Sequence, residues 1–98
     1  MAVVTGDDVL PWVQAHDAAL LDSTQRASDL GDRLVSANAY LGADALLPAL
    51  ASGADVIITG RVADPALFLA PLMHRFGWRA DDWPLLGQGV LVGHLLEC

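Results

Sequence analysis

The chain has 98 residues, of which 54% are hydrophobic and 17% are charged, and its formal net charge is −7. All five basic residues are arginines that form no basic stripe, so we expect neither nucleic-acid binding nor attraction to an anionic membrane. No signal peptide or membrane-length apolar run is visible, and the single cysteine, Cys98, excludes an internal disulfide bond, so we expect a cytoplasmic protein.

The apolar fraction is high for so small a domain, and the mean hydropathy is +0.44. A chain of this length has a large surface for its volume, so the excess predicts burial against residues outside it. Two explanations remain open at this point. The chain is a piece of a larger protein, or it forms an oligomer.

The first half of the chain predicts two strands and two helices. Ala2–Thr5 is a short apolar run that favours a strand, and a helix is predicted over Val9–Leu21. A second, weaker strand is predicted over Arg33–Asn38. The spacing of leucines then predicts a helix over Ala43–Ala51.

The second half begins with the strongest local pattern. Ala54–Thr59 contains a continuous β-branched run, typical of a strand buried on both faces. Asp64 is predicted to cap the next helix, Pro65–Phe76, with Pro65 as its first residue. A last helix is predicted from Trp83 to Leu96, although its three glycines leave a loop followed by a strand at Val90–Val92 as the alternative.

Alternation of strands and helices predicts an α/β fold. We expect a parallel sheet of at least three strands joined by right-handed crossover helices. Residues 1–98 are expected to form a single fragment, an incomplete part of a larger α/β domain.

Polar side chains follow all three predicted strands. Asp7 and Asp8 follow the first strand, Asn38 and Tyr40 follow the second, and Arg61 follows the third. The carboxyl ends of parallel strands lie at one edge of a sheet, where ligands collect. Each strand is also followed by a helix N-terminus, which favours negative charge. The sequence therefore predicts a site for a small polar or anionic ligand at this edge.

Each side chain is given a candidate role. Arg61 could hold a carboxylate or phosphate through two parallel hydrogen bonds, with Asn38, Tyr40 and Asp64 as further ligand contacts. Asp7 or Asp8 could act as a general base or as a metal ligand.

Each of these residues also has a purely structural interpretation. The aspartates could be helix caps, and Arg61 could pair with one of them. Asn38 could be a turn residue, and Tyr40 a packed aromatic residue with one satisfied hydroxyl.

A second group lies near the end of the sequence. His94, Glu97 and Cys98 are three and four residues apart, which places them on one face of a helix. This spacing could bind a metal or activate a thiol. No other cysteine or histidine cluster supports a metal site, so we assign no metal ligand and keep His94 as a ligand-binding candidate.

Several common functional motifs are missing from the sequence. It contains no P-loop, no Gly-x-Gly-x-x-Gly after a strand and no Gly-x-Ser-x-Gly elbow. Cys-x-x-Cys and His-Glu-x-x-His are also missing. No cofactor is identified from motifs.

Several ordered motifs resemble those of one known family. They are Val4–Asp8, Ser36–Ala43, Ala51–Asp64, Phe76–Trp78, the Asp82-Trp83 pair and Gly93–Cys98. On these residues the chain is similar to the acyclic terpene utilisation A (AtuA-like) family, long catalogued as a domain of unknown function. The resemblance covers nearly the whole chain.

The resemblance implies a bacterial cytoplasmic protein that serves the catabolism of citronellol- and geraniol-type isoprenoids, alongside acyl-CoA carboxylation and hydration. Family members are several hundred residues long, so it also implies that this chain is an internal piece. A CoA thioester or a branched carboxylate is the ligand that the pathway suggests. A second copy or a pathway enzyme is a possible partner. The competing hypothesis is a non-catalytic scaffold or interaction subunit, and no reaction is assigned.

Overall fold

The computed structural model describes residues 1–98 and contains two strands and five α-helices. The strands are β1 (Ala2–Val4) and β2 (Ile57–Thr59). The α-helices are α1 (Leu10–Ala15), α2 (Ala27–Leu30), α3 (Leu47–Ala51), α4 (Ala66–Phe76) and α5 (Trp83–Glu97). Two short 3-10 helices cover Gly31–Arg33 and Ala43–Leu46.

The two strands pair in parallel and are joined by the long connection that contains α1, α2 and α3. Ala2 lies opposite Ile57, and Val4 lies opposite Thr59. Val4 is buried, whereas Val3 and its partner Ile58 are 62% and 51% exposed on the opposite face. The predicted α/β class is confirmed, but the sheet has two strands rather than three or more.

The predicted strand over Arg33–Asn38 is wrong. Arg33 ends a 3-10 helix, and the residues after it are irregular except for one antiparallel bridge between Asn38 and Asp8. Val35 is 80% exposed, so its side chain gains little from packing against the rest of the fold. An apolar pair alone does not provide the repeated contacts that hold a strand in a sheet.

Helix α1 ends at Ala15, six residues before the predicted end at Leu21. Asp17 follows it with a φ of 44°, which a continuing helix cannot accommodate. The Asp17 carboxylate instead accepts hydrogen bonds from the Ser28 backbone N–H and from Arg26 Nε. These bonds lower the pKa of Asp17 and tie α1 to α2, so the chain turns back where periodicity alone predicted more helix.

Helix α4 is the centre of the core. It packs against α5 on one side. On another side it packs against α3 and against the 3-10 helix Ala43–Leu46 that leads into α3. The buried cluster comprises Ala43, Leu46, Ala66, Leu69, Ala70 and Met73. Ala70 has no exposed surface and lies at the centre of this cluster.

The predicted last helix is confirmed as α5, and the alternative of a strand at Val90–Val92 is wrong. Gly89 and Gly93 are its two buried residues, and both face α4. A Cβ at Gly93 would lie 2.9 Å from the Pro65 carbonyl oxygen and 3.1 Å from its Cα. The glycines therefore permit close packing of α5 on the start of α4. None of the helices is long and apolar enough to cross a membrane.

Two alanine substitutions in α5 should have opposite effects on stability. Gly93→Ala places a methyl group against Pro65 backbone atoms, which cannot move without shifting the helix; overpacking of this kind costs about 1–3 kcal/mol. Gly87→Ala meets no atom within 4 Å, so the gain in helix propensity of about 0.5–1 kcal/mol is realised. Urea unfolding measures both changes. A stabilising Gly93→Ala would contradict the packing described.

Candidate functional site

The turns after β1 and β2 meet the segment around Asn38 at one edge of the sheet. Backbone hydrogen bonds join all three segments. The Gly60 N–H donates to Val4 O at 3.0 Å, and the Ala39 N–H donates to Asp7 O at 2.7 Å. The Leu41 N–H donates to Arg61 O at 3.1 Å. The three groups of candidate residues therefore lie together, although the middle one does not follow a strand.

The Asp7 carboxylate is the side chain that links all three segments. Its Oδ2 accepts the Arg61 backbone N–H at 3.0 Å and the Asn38 Nδ2–H at 2.9 Å. The bond from the Arg61 N–H is the main cause that lowers the pKa of Asp7, with a further contribution from Asn38. Asp7 is thus an anion that holds together the turn after β1, the turn after β2 and the segment around Asn38, which together we call the junction. It does not cap α1.

The position of the Asp7 carboxylate requires a glycine at residue 60. A Cβ at Gly60 would overlap Asp7 Oδ1, so any side chain at this residue would displace the Asp7 carboxylate. The predicted strand ends at Thr59, and the sequence pattern alone gave Gly60 no further role. A glycine directly between Thr59 and a cation, opposite another polar turn, was the signal available for this close approach.

Arg61 directs its side chain away from Asp7 and onto Tyr40. Its Nη2 donates a hydrogen bond to Tyr40 Oη, and its guanidinium carbon lies 4.9 Å from the centroid of the Tyr40 ring. The Tyr40 hydroxyl, followed by the charges of Asp64 and Asp7, raises the pKa of Arg61. The alternative of an ion pair with an aspartate is wrong, because no carboxylate oxygen lies within 4.0 Å of the guanidinium.

This arrangement leaves Arg61 able to bind an anion. Its Nε and Nη1 make no hydrogen bond to the protein, and the side chain is exposed. The planar guanidinium has five N–H donors, so a fork of donors remains for a carboxylate or a phosphate. Tyr40 is 56% exposed and therefore supports the arginine without covering it.

The other two candidate aspartates differ in their surroundings. Asp8 Oδ1 accepts the backbone N–H of Leu10 at 3.1 Å, but Val9 holds the N-cap position of α1 and no side chain caps this helix, so the interpretation of Asp8 as a helix cap is wrong. Asp64 was predicted to cap α4, but α4 has no side-chain cap hydrogen bond and Pro65 holds the N-cap position. Asp64 is exposed, and its charge raises the pKa of both Arg61 and Cys98.

His94 lies outside the junction, on the last turns of α5. Its Nε2 is 3.8 Å from Cys98 Sγ, which lies 3.5 Å from Glu97 Oε2. The Glu97 carboxylate is the main cause that raises the pKa of the Cys98 thiol, so this cysteine is not activated as a nucleophile. The two distances confirm that His94, Glu97 and Cys98 share one face of the helix.

Asp7→Asn should change the pH dependence of stability. Because the pKa of Asp7 is lowered on folding, its carboxylate stabilises the fold above its ordinary pKa of 3.8, and this contribution is lost as the pH falls through the folded value. We expect Asp7→Asn to reduce the urea midpoint at neutral pH and to flatten the loss of stability below pH 3.8.

Asp8→Asn is the matched control for this change. Asparagine is as good a residue as aspartate beside a helix start, so the contact with Leu10 is kept and the midpoint should change little. A wild-type pH profile for Asp7→Asn would contradict the role given to Asp7.

Comparison with known proteins gives one family. The model of the family described as "Acyclic terpene utilisation family protein AtuA" matches residues 1–98. No curated protein and no solved structure matches the chain. Because the match spans the whole sequence, the chain belongs to the AtuA family, as the ordered motifs indicated.

Proposed function

We propose that this AtuA-family chain binds a small anionic or acyl-CoA-type ligand at the junction beside Arg61, within the catabolism of citronellol- and geraniol-type isoprenoids. The observation that carries the proposal is the Arg61 guanidinium. It is exposed, it is held by Tyr40, and two of its three nitrogens have no partner in the protein.

The junction fixes the position of Arg61 before any ligand arrives. Its backbone N–H is bound by Asp7 and its carbonyl by Leu41, so the residue is held on both sides. A preorganised donor loses little conformational entropy when it binds an anion, which increases affinity. Helix α4 begins five residues later, and its N-terminal end adds partial positive charge to the same region.

The two candidate catalytic carboxylates take different roles in this proposal. Asp7 Oδ2 already accepts two hydrogen bonds, so Asp7 acts as a positioning residue for Arg61 and Asn38. Asp8 is exposed and uses only Oδ1, leaving its other oxygen free. If the ligand undergoes proton transfer, Asp8 is the carboxylate that is available for it.

Arg61→Ala tests the site directly. We expect the affinity for the CoA thioester of citronellic acid to fall at least about tenfold, because a charge-assisted hydrogen bond to the anion is lost. Isothermal titration with the full-length protein measures the affinity, and growth of the producing strain on citronellol measures the pathway role.

Arg33→Ala is the control for loss of one positive charge. The Arg33 guanidinium donates only to the carbonyl oxygens of Leu30 and Asp29, away from the junction, so affinity should be unchanged. Wild-type binding and growth for Arg61→Ala would remove Arg61 from the site.

A non-catalytic interaction subunit is the second candidate function. A groove of about 380 Å³ between α4 and α5 is lined by Leu67, Phe68, Pro71, Leu72, Phe76, Val92 and Leu96, with Arg75 beside them. Exposed apolar surface of this kind is typical of protein contact sites. A Leu96→Asp variant distinguishes the two. Loss of association with the pathway's acyl-CoA carboxylase subunits, with no ligand binding at Arg61 in the wild type, would favour the interaction subunit.

A further inference from the structure

Three side chains with metal-binding atoms meet at the C-terminal end of α5. One ligand atom from each of His94, Glu97 and Cys98 lies within 4.8 Å of the other two. All three side chains are exposed, and none forms a hydrogen bond or an ion pair with another element of the fold. The cluster therefore has no evident part in holding the helix in place.

The contacts within the cluster have the dimensions of a zinc site. Tetrahedral bonds of about 2.3 Å to sulfur and about 2.1 Å to nitrogen or oxygen place neighbouring ligand atoms about 3.6 Å apart. Cys98 Sγ lies 3.8 Å from His94 Nε2 and 3.5 Å from Glu97 Oε2. Two edges of the tetrahedron are thus already present without a change of backbone.

The surrounding charge favours a cation. The last carbonyl groups of a helix carry partial negative charge, and α5 is 15 residues long. Glu97 adds a full negative charge, and Asp64 lies close enough for its charge to act on Cys98. A donor set of thiolate, imidazole and carboxylate selects a soft or borderline metal over magnesium or calcium.

We propose that His94, Glu97 and Cys98 bind one thiophilic divalent cation of the zinc class at the C-terminal end of α5. Three protein ligands leave a coordination position open, as in zinc sites that bind water or a substrate. The site lies beside the start of α4, because Gly93, the residue before His94, packs against Pro65. The metal site is separate from the junction beside Arg61, and this proposal does not depend on the function proposed for that junction.

Cobalt titration of the full-length protein tests the site. Co²⁺ takes the place of Zn²⁺ and gives a near-ultraviolet charge-transfer band only when a thiolate is a ligand. We expect this band to saturate at one equivalent and to disappear on addition of Zn²⁺. Cys98→Ser should abolish the band, and His94→Ala should weaken cobalt and zinc binding at least about tenfold.

His16→Ala is the matched control, because His16 bonds only to a carbonyl of its own helix and lies in a different part of the chain. It should leave the band and both affinities unchanged, while circular dichroism confirms that every variant is folded. A cobalt complex without the thiolate band, or zinc affinity equal in wild type, His94→Ala and Cys98→Ser, overturns the proposal.

Discussion

One carboxylate determines how the edge of the sheet beyond β1 and β2 is assembled. Asp7 lies against Gly60 and accepts hydrogen bonds from the Arg61 backbone and the Asn38 side chain. These contacts join residues that are 31 and 54 positions apart in the sequence. The parallel strands contain only three residue pairs, so the turns beyond them require this additional link to have a defined position.

The position of the Arg61 side chain depends on the hydrogen bond between its backbone and Asp7. Once its backbone is fixed by Asp7, the Arg61 side chain reaches Tyr40 and stacks on it, with free donors still facing solvent. The same turn leads through Asp64 to α4, whose N-cap residue, Pro65, packs against Gly93 of α5. The anion-binding candidate and the His94 cluster therefore both lie near the start of α4, where the charge of Asp64 acts on Arg61 and on Cys98.

Local patterns predicted the parts of the fold that carry their own signals. The β-branched run of β2 and the apolar helix α4 were recognised from their composition, although Ile58 is 51% exposed and β2 is not buried on both faces as predicted. For α5 the glycines left a strand open as the alternative, because they lower helix propensity. The grouping of Asp7, Asn38 and Arg61 also followed from parallel strand ends. Arg33–Asn38 was wrongly predicted as a strand because a weak apolar pair does not reveal whether a neighbouring layer exists. The early end of α1 depended on Asp17 bonding to Arg26 and Ser28, a tertiary contact that periodicity does not encode.

The central claim is that the Asp7 carboxylate accepts the Arg61 backbone N–H. Nuclear magnetic resonance titration of the full-length protein tests it most directly, by following the Asp7 carboxyl carbon and the Arg61 amide proton as the pH is lowered. We expect Asp7 to titrate below its ordinary pKa of 3.8 and the Arg61 amide proton to shift with the same midpoint. An ordinary pKa for Asp7, with an Arg61 amide that does not respond, would contradict it.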